Sequence, residues 1–175
     1  MLETKFQSFD QAGTQTIGNQ ISGYASLFGL ADQGGDIVSP GAYAVSLTAL
    51  RDSGRSVKML WQHDPNQPIG VWDEVREDAH GLYVKGRVLT DLKLGQEVMT
   101  LVSAGAIDGL SIGYRTVKAD KSGEGRVLKS LDLWEVSLVT FPMLPQARVT
   151  QNQSDDEAQA FSLLHDAARA AATEF

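Results

Sequence analysis

The chain has no cysteine, three histidines and five prolines in 175 residues. Without cysteine there are no disulfides, no thiolate nucleophile and no Cys-ligated zinc or iron–sulfur site, and the absence fits an intracellular life. The histidines are scattered, with no H-x-x-x-H pair, which speaks against a zinc enzyme. No run of about 18 apolar residues occurs, so no segment reads as a membrane-spanning helix. The start, MLETKFQSFDQ, has neither a basic nor an apolar region and does not read as a secretory signal. Clustered Lys and Arg are missing too. The net charge is −7, which argues against a protein built to coat nucleic acid. Much of that charge is local. Residues 151–175 hold five acids against Arg169 and carry −4, which leaves −3 for residues 1–150.

What is present is ordinary for a soluble globular protein: 42% hydrophobic and 21% charged residues. The length suits one domain with an appendage. Residues 14–28 read as one or two strands. In 39–54, Ser39 can cap a helix, Pro40 suits its first turn, Gly54 suits its end, and Tyr43, Leu47 and Leu50 form its apolar face. Strands follow at 56–62, 69–78 and 80–89, the last two as a hairpin around Ala79–Gly81. Residues 90–106 read as a second helix, capped by Thr90 or Asp91, with Leu94, Val98, Leu101 and Val102 as its stripe. Residues 108–119 are a strand, 120–125 a turn, and 126–142 one long strand or two. There Leu133, Val136 and Leu138 break strict alternation, as a strand buried on both faces or bent by a bulge would. A third helix is expected at 154–173, with a capping-box pattern from Ser154 to Glu157. About seven strands joined mostly by short turns, with interleaved helices, predict a mostly β (α+β) domain: a closed or nearly closed antiparallel barrel with helices outside it.

Candidate chemistry reduces to hydroxyls, carboxylates and one histidine. In MLWQHDPNQPIG (59–70), His63 stands where an apolar strand gives way to DPNQP, a tight connection. Ser111 lies in DGLSIGY between Gly109 and Gly113, which leave the backbone open to close approach. Its plain reading is a serine on a half-exposed strand face. Glu135 lies in LDLWEVSLVTFP, a very apolar stretch. It either faces solvent or has a partner, and an imidazole would serve. A nucleophilic serine needs a base, and the base needs an orienting group. Serine, histidine and glutamate from three strands could supply them, yet any protein of this size has some of each.

Read together, GYASLFGLADQGGDIVSPGAY (23–43), VKMLWQHDPNQPIG (57–70), GLYVKGRV (81–88), GAIDGLSIGY (105–114) and DLWEVSLVTFPMLPQA (132–147) resemble the prohead (capsid maturation) serine proteases of tailed phages. The resemblance covers residues 20–148, and the family is similar in fold to the herpesvirus assemblin proteases. It implies an assemblin-like barrel with His63 as general base and Ser111 as nucleophile. For the third member, herpesvirus enzymes use a second histidine and phage enzymes an acid. Glu135 is the match, with Asp132 as its rival. Asp64 is then a turn residue, and His80 and His165 lie outside the matching segments. Oxyanion donors would come from the stretch 142–148, with Arg148 as a contributor.

The resemblance implies no cofactor or metal, and neither nucleic acid nor membrane as partner. The substrates would be scaffold and the N-terminal scaffolding region of the major capsid protein, cut inside the procapsid in the bacterial host cytoplasm, with self-processing. The herpesvirus enzymes are dimers in their active form, and a homodimer is left open here. Residues 1–148 would be the protease domain and 149–175 a linker and helix, processed or capsid-directing. The rival readings are a non-proteolytic capsid-assembly or scaffold protein with the same barrel, and a small acyl hydrolase. GLSIG (109–113) spells G-x-S-x-G, but inside an expected strand rather than at the strand-to-helix turn of a nucleophile elbow, which disfavours the common form of the latter.

Overall fold

Alternation in QISGYASL makes the first strand, with Ile21, Gly23 and Ala25 turned inward. The computed structural model describes residues 18–123 and 125–150. In chain order the elements are β1 (Gln20–Leu27), β2 (Ile37–Val38), α1 (Ala44–Asp52), β3 (Lys58–Trp61), β4 (Asp64–Glu77), β5 (Gly81–Val88), α2 (Lys93–Ser103), β6 (Gly109–Ser122), β7 (Gly125–Val139) and β8 (Val149–Thr150). The predicted third helix and His165 lie outside the described residues. Val149 and Thr150, which the sequence assigns to a linker, pair with Gly23 and Ser22 of β1.

The domain is mostly β as expected, but the closed or nearly closed antiparallel barrel of about seven strands is not what forms. The strands make one eight-stranded mixed sheet, ordered β2-β7-β3-β4-β5-β1-β8 with β6 added on β7, and it is not closed. Strand β7 organises it. Its N-terminal half pairs with β2 and its C-terminal half with β3, both parallel, while β6 runs antiparallel along it. β2 and β3 lie end to end along the same edge of β7, with α1 between them in the chain, so both run in the direction of β7. The segment just before β8 meets the start of β6: Gly109 bridges Arg148, and Leu110 N–H donates to the Ala147 carbonyl at 2.8 Å.

The core lies inside the curve of this sheet. Leu82, Val84, Val88, Leu133, Val136 and Leu138 are fully buried in it, with Tyr43 beside α1 and Val98 from α2. The broken alternation in β7 has both suspected causes. Residues 135–139 are buried on both faces, and the β6–β7 register shifts between Gly113 and Tyr114.

Neither predicted side-chain cap is used. The residue before α1 is Tyr43, not Ser39, and the one before α2 is Leu92, not Thr90 or Asp91; neither offers a capping side chain. The orphan N–H groups at α1 are met from a distance. Glu77, at the end of β4, accepts from Gly41 N–H and, at 3.0 Å, from Tyr43 N–H. Gly54 closes α1 as expected, in the left-handed region at φ 65°. Replacing Glu77 with Ala should lower the unfolding free energy by about 1–2 kcal/mol in urea denaturation, the usual worth of a cap. An unchanged midpoint would show the contact to be neutral.

Candidate active site

Because β6 and β7 are antiparallel, residues opposite one another share a face. Ser111 pairs with Ser137, and Gly113 with Glu135. Glu135 and Ser137 are two apart, so Ser111, Ser137 and Glu135 all project from one face, away from Val136 and Leu138. The three are buried, with 9% or less of their surface exposed.

His63 reaches this face from the other flank of β7. It does not end a strand, and DPNQP is not the turn. Trp61 pairs with Asp64, so the β3–β4 turn is Gln62 and His63 alone. Pro65–Gln67 bulge out before pairing resumes at Leu60–Pro68, with Asp64 Oδ1 accepting from Asn66 N–H at 2.8 Å. Asp64 is thus a turn-forming residue at the root of the bulge. Gln62 and His63 have φ of 53° and 62°. Two consecutive left-handed residues are what a mirror-image two-residue hairpin turn needs, and Asn-Gly is the usual choice. Gln-His is costly there, on the order of 1 kcal/mol per residue. The end of β7 holds it in place. Gln62 N–H donates to the Leu138 carbonyl at 3.0 Å. The Gln62 side-chain amide donates to Thr140 Oγ1 at 2.8 Å and accepts from Thr140 N–H at 3.2 Å.

The result is a continuous chain of contacts. His63 Nδ1 lies 2.6 Å from Glu135 Oε1, and His63 Nε2 lies 2.9 Å from Ser111 Oγ. A carboxylate can only accept, so the proton belongs on Nδ1. That leaves Nε2 to accept from the serine hydroxyl. The Glu135 hydrogen bond, opposed by burial, holds the imidazole above the ordinary histidine range.

Ser137 is the residue that sequence reasoning missed. Its Oγ donates to Glu135 Oε2 at 2.5 Å and accepts from His63 N–H at 3.1 Å. One hydroxyl therefore fixes the carboxylate and the backbone of the histidine that the carboxylate meets. The available signal was its place two residues after Glu135 on a strand. Ser137→Ala strands a buried N–H and a carboxylate oxygen. It should cost about 1–3 kcal/mol in stability, read from the shift in denaturation midpoint.

The other candidates are elsewhere. Asp132 pairs with Arg115 at 3.2 Å and accepts from Trp134 Nε1 at 3.1 Å. His80 sits in the β4–β5 turn, half-buried, with its ring edge-on to Tyr24. Arg148 bonds the Asp108 carboxylate and, at 2.7 Å, the Pro145 carbonyl. It braces the 145–148 loop against β6. Among the described residues no group of three or more His, Asp or Glu could hold a metal, and no helix is long and apolar enough to cross a membrane.

Comparison with known proteins gives this geometry its family. Residues 4–161 match the family described as caudovirus prohead serine protease. The chain belongs to that family. The prohead protease of Enterobacteria phage HK97 is 33% identical over 160 residues, covering 87% of this chain and 70% of its own length. Two solved proteases share the fold. The capsid assembly protease of bacteriophage T4 superposes with a TM-score of 0.54 at 12% identity, covering 69% of this chain and 82% of its own. KSHV protease, crystallised with a hexapeptide phosphonate inhibitor, gives 0.56 at 13%, covering 86% and 77%. The resemblance read from the five segments is therefore correct, as is the likeness to the herpesvirus fold, although the sheet is open and mixed. Family membership makes the chain a protease of capsid maturation.

Proposed function

We propose that the chain is a serine endopeptidase in which Ser111 is the nucleophile, His63 the general base and Glu135 the orienting acid. The observation that carries this is the unbroken line from Ser111 Oγ through both imidazole nitrogens to Glu135. As Ser111 Oγ attacks a peptide carbonyl, its proton passes to His63 Nε2. The imidazolium formed is stabilised by the carboxylate 2.6 Å from Nδ1. The tetrahedral intermediate collapses, Nε2 returns the proton to the leaving amine, and water repeats the cycle on the acyl-enzyme. His63, Ser111 and Glu135 are each held by strand pairing or by the β3–β4 turn, so little reorganisation is needed.

The proposed substrates are scaffold, the N-terminal scaffolding region of the major capsid protein, and the enzyme itself, cut inside the prohead within the bacterial host. Support comes from the prohead protease relative and the capsid assembly protease that shares the fold. The test is co-expression of the full chain with the coat protein encoded beside it, with intact masses read for both. The expected result is loss of an N-terminal block of coat protein together with a covalent adduct on Ser111 after treatment with a small fluorophosphonate. Intact coat protein and an unlabelled Ser111 would instead favour a barrel-like assembly protein that binds without cutting.

A further inference from the structure

A cavity of about 160 Å³ opens beside Ser111, between β1, the 30–38 segment, β6 and the loop after β7. Leu27, Leu30, Val38 and Met143 give it apolar walls, and its only charged lining is Asp32 and Asp36. These carboxylates are not equivalent. Both oxygens of Asp36 are taken by Arg126, at 3.0 and 2.5 Å, and that guanidinium holds the carboxyl below the usual range. Asp32 uses Oδ1 to accept the N–H groups of Gly34 and Asp36, at 2.8 and 3.0 Å. Among the described residues no cation pairs with it. The hydroxyl of Tyr114, also in the lining, is pushed up by burial and then by the charges of Asp36 and Asp32. Arg126 also acts on Asp32 but is bonded to Asp36, so the space beside Ser111, apolar along its length, carries a net single negative charge.

We infer that this cavity receives the substrate side chain at the scissile bond and selects a lysine or arginine there. The aliphatic stem lies on the apolar walls and the cationic head meets Asp32. An apolar side chain would fill the walls but desolvate Asp32 with nothing in return, and an acidic one would meet a like charge. This inference rests on the reading of Ser111 as nucleophile, and the experiment separates the two.

The probes are three peptidyl phosphonate diphenyl esters, identical except for a lysine, norleucine or glutamate side chain at the phosphonate, with a small fluorophosphonate as the fourth. Ser111 Oγ attacks phosphorus and forms an O–P bond as phenoxide, or fluoride, leaves. The serine proton goes by way of His63 to the leaving group. Adduct formation on the full chain is followed by intact mass. The lysine probe should react about tenfold faster than norleucine, as one charge pair in a partly solvated cavity would give, and glutamate slowest. Asp32→Asn keeps an oxygen for the two N–H groups but removes the charge. It should bring the lysine-to-norleucine ratio to within about twofold. Norleucine matching lysine on the wild type overturns the inference, and so does a ratio that survives Asp32→Asn. If the fluorophosphonate marks Ser111 while lysine shows no advantage, only the specificity inference falls. If no probe, fluorophosphonate included, marks Ser111, the nucleophile reading falls and takes this one with it.

Discussion

Glu135→Gln should lower the rate of coat-protein cleavage by about 10²–10⁴-fold and move the acid limb of the pH–rate profile to lower pH. The two effects share one cause. The carboxylate contact raises the His63 pKa, so the wild-type limb should lie above about 6.5, the ordinary histidine value. In the proposed mechanism the base is neutral His63, so activity should rise with pH through that limb. An amide removes the charge that favours the imidazolium. His63 then stays neutral to lower pH, but its protonated form in the transition state loses its partner. The range reflects which end of the amide faces Nδ1. If the oxygen does, Ser137 can turn to accept from the amide nitrogen, the tautomer survives and the loss is near 10². If the nitrogen does, Nδ1 must accept, Nε2 carries the proton, and the loss approaches 10⁴. Rates measured from about pH 5 to 9 would decide. A lower plateau with an unmoved limb would mean that Glu135 is not what perturbs His63. Stability runs the other way. A raised histidine pKa contributes stability below the unfolded value, and this is lost as pH rises through the folded one. The enzyme thus gives up part of what holds His63 to Glu135 as it becomes active.

Why the residues of the candidate site stood out in the sequence while their arrangement did not can be traced to particular positions. A glutamate in an apolar strand and a serine between glycines are local anomalies, and local anomalies show in a sequence. So do α1, α2 and the strands β5–β7, whose periodicity agrees with what forms. The parallel pairing of β2 and β3 with β7 left no local trace, because it joins segments far apart in the chain. The turn at Gln62–His63 was hidden by DPNQP just after it. Its own residues are poor turn formers, and tertiary bonds to Leu138, Thr140 and Ser137 hold it. The caps were misplaced for a similar reason: Glu77 satisfies α1 from more than 30 residues away. Asp132 and Glu135 could not be ranked by chemistry. They differ by three positions, which on a strand puts them on opposite faces before any bulge is counted. The bulge at Trp134 undoes this: Asp132 pairs with Arg115, so it shares the face of Ser111 and Glu135 but lies further along the strand, where Arg115 takes it.

Gly113→Ala should abolish most activity, by about 10²–10³-fold, while leaving the protein folded. In DGLSIGY the glycine seemed to offer room to another chain. What fills the room is Glu135. A Cβ on Gly113 would lie 2.0 Å from Glu135 Oε1, 2.7 Å from Cδ and 2.8 Å from Cγ. Those atoms belong to a side chain that can rotate, so the clash is relieved by swinging the carboxylate away rather than by parting the strands. Oε1 is also the atom that holds His63 Nδ1, and Oε2 the one that holds Ser137, so the rotation undoes both bonds at once. The backbone adds no strain of its own, since Gly113 does not have positive φ. One methyl group, touching neither the serine nor the imidazole, thereby removes the orienting acid. The signature is a large fall in kcat, an acid limb shifted down as in Glu135→Gln, and a melting temperature within a few degrees of wild type. Gly113→Ala combined with Glu135→Gln should be little worse than either alone, because both remove the same contact. Additive losses would mean that Gly113 serves the substrate strand directly, and full activity in the single variant would mean that the acid is not needed where it stands.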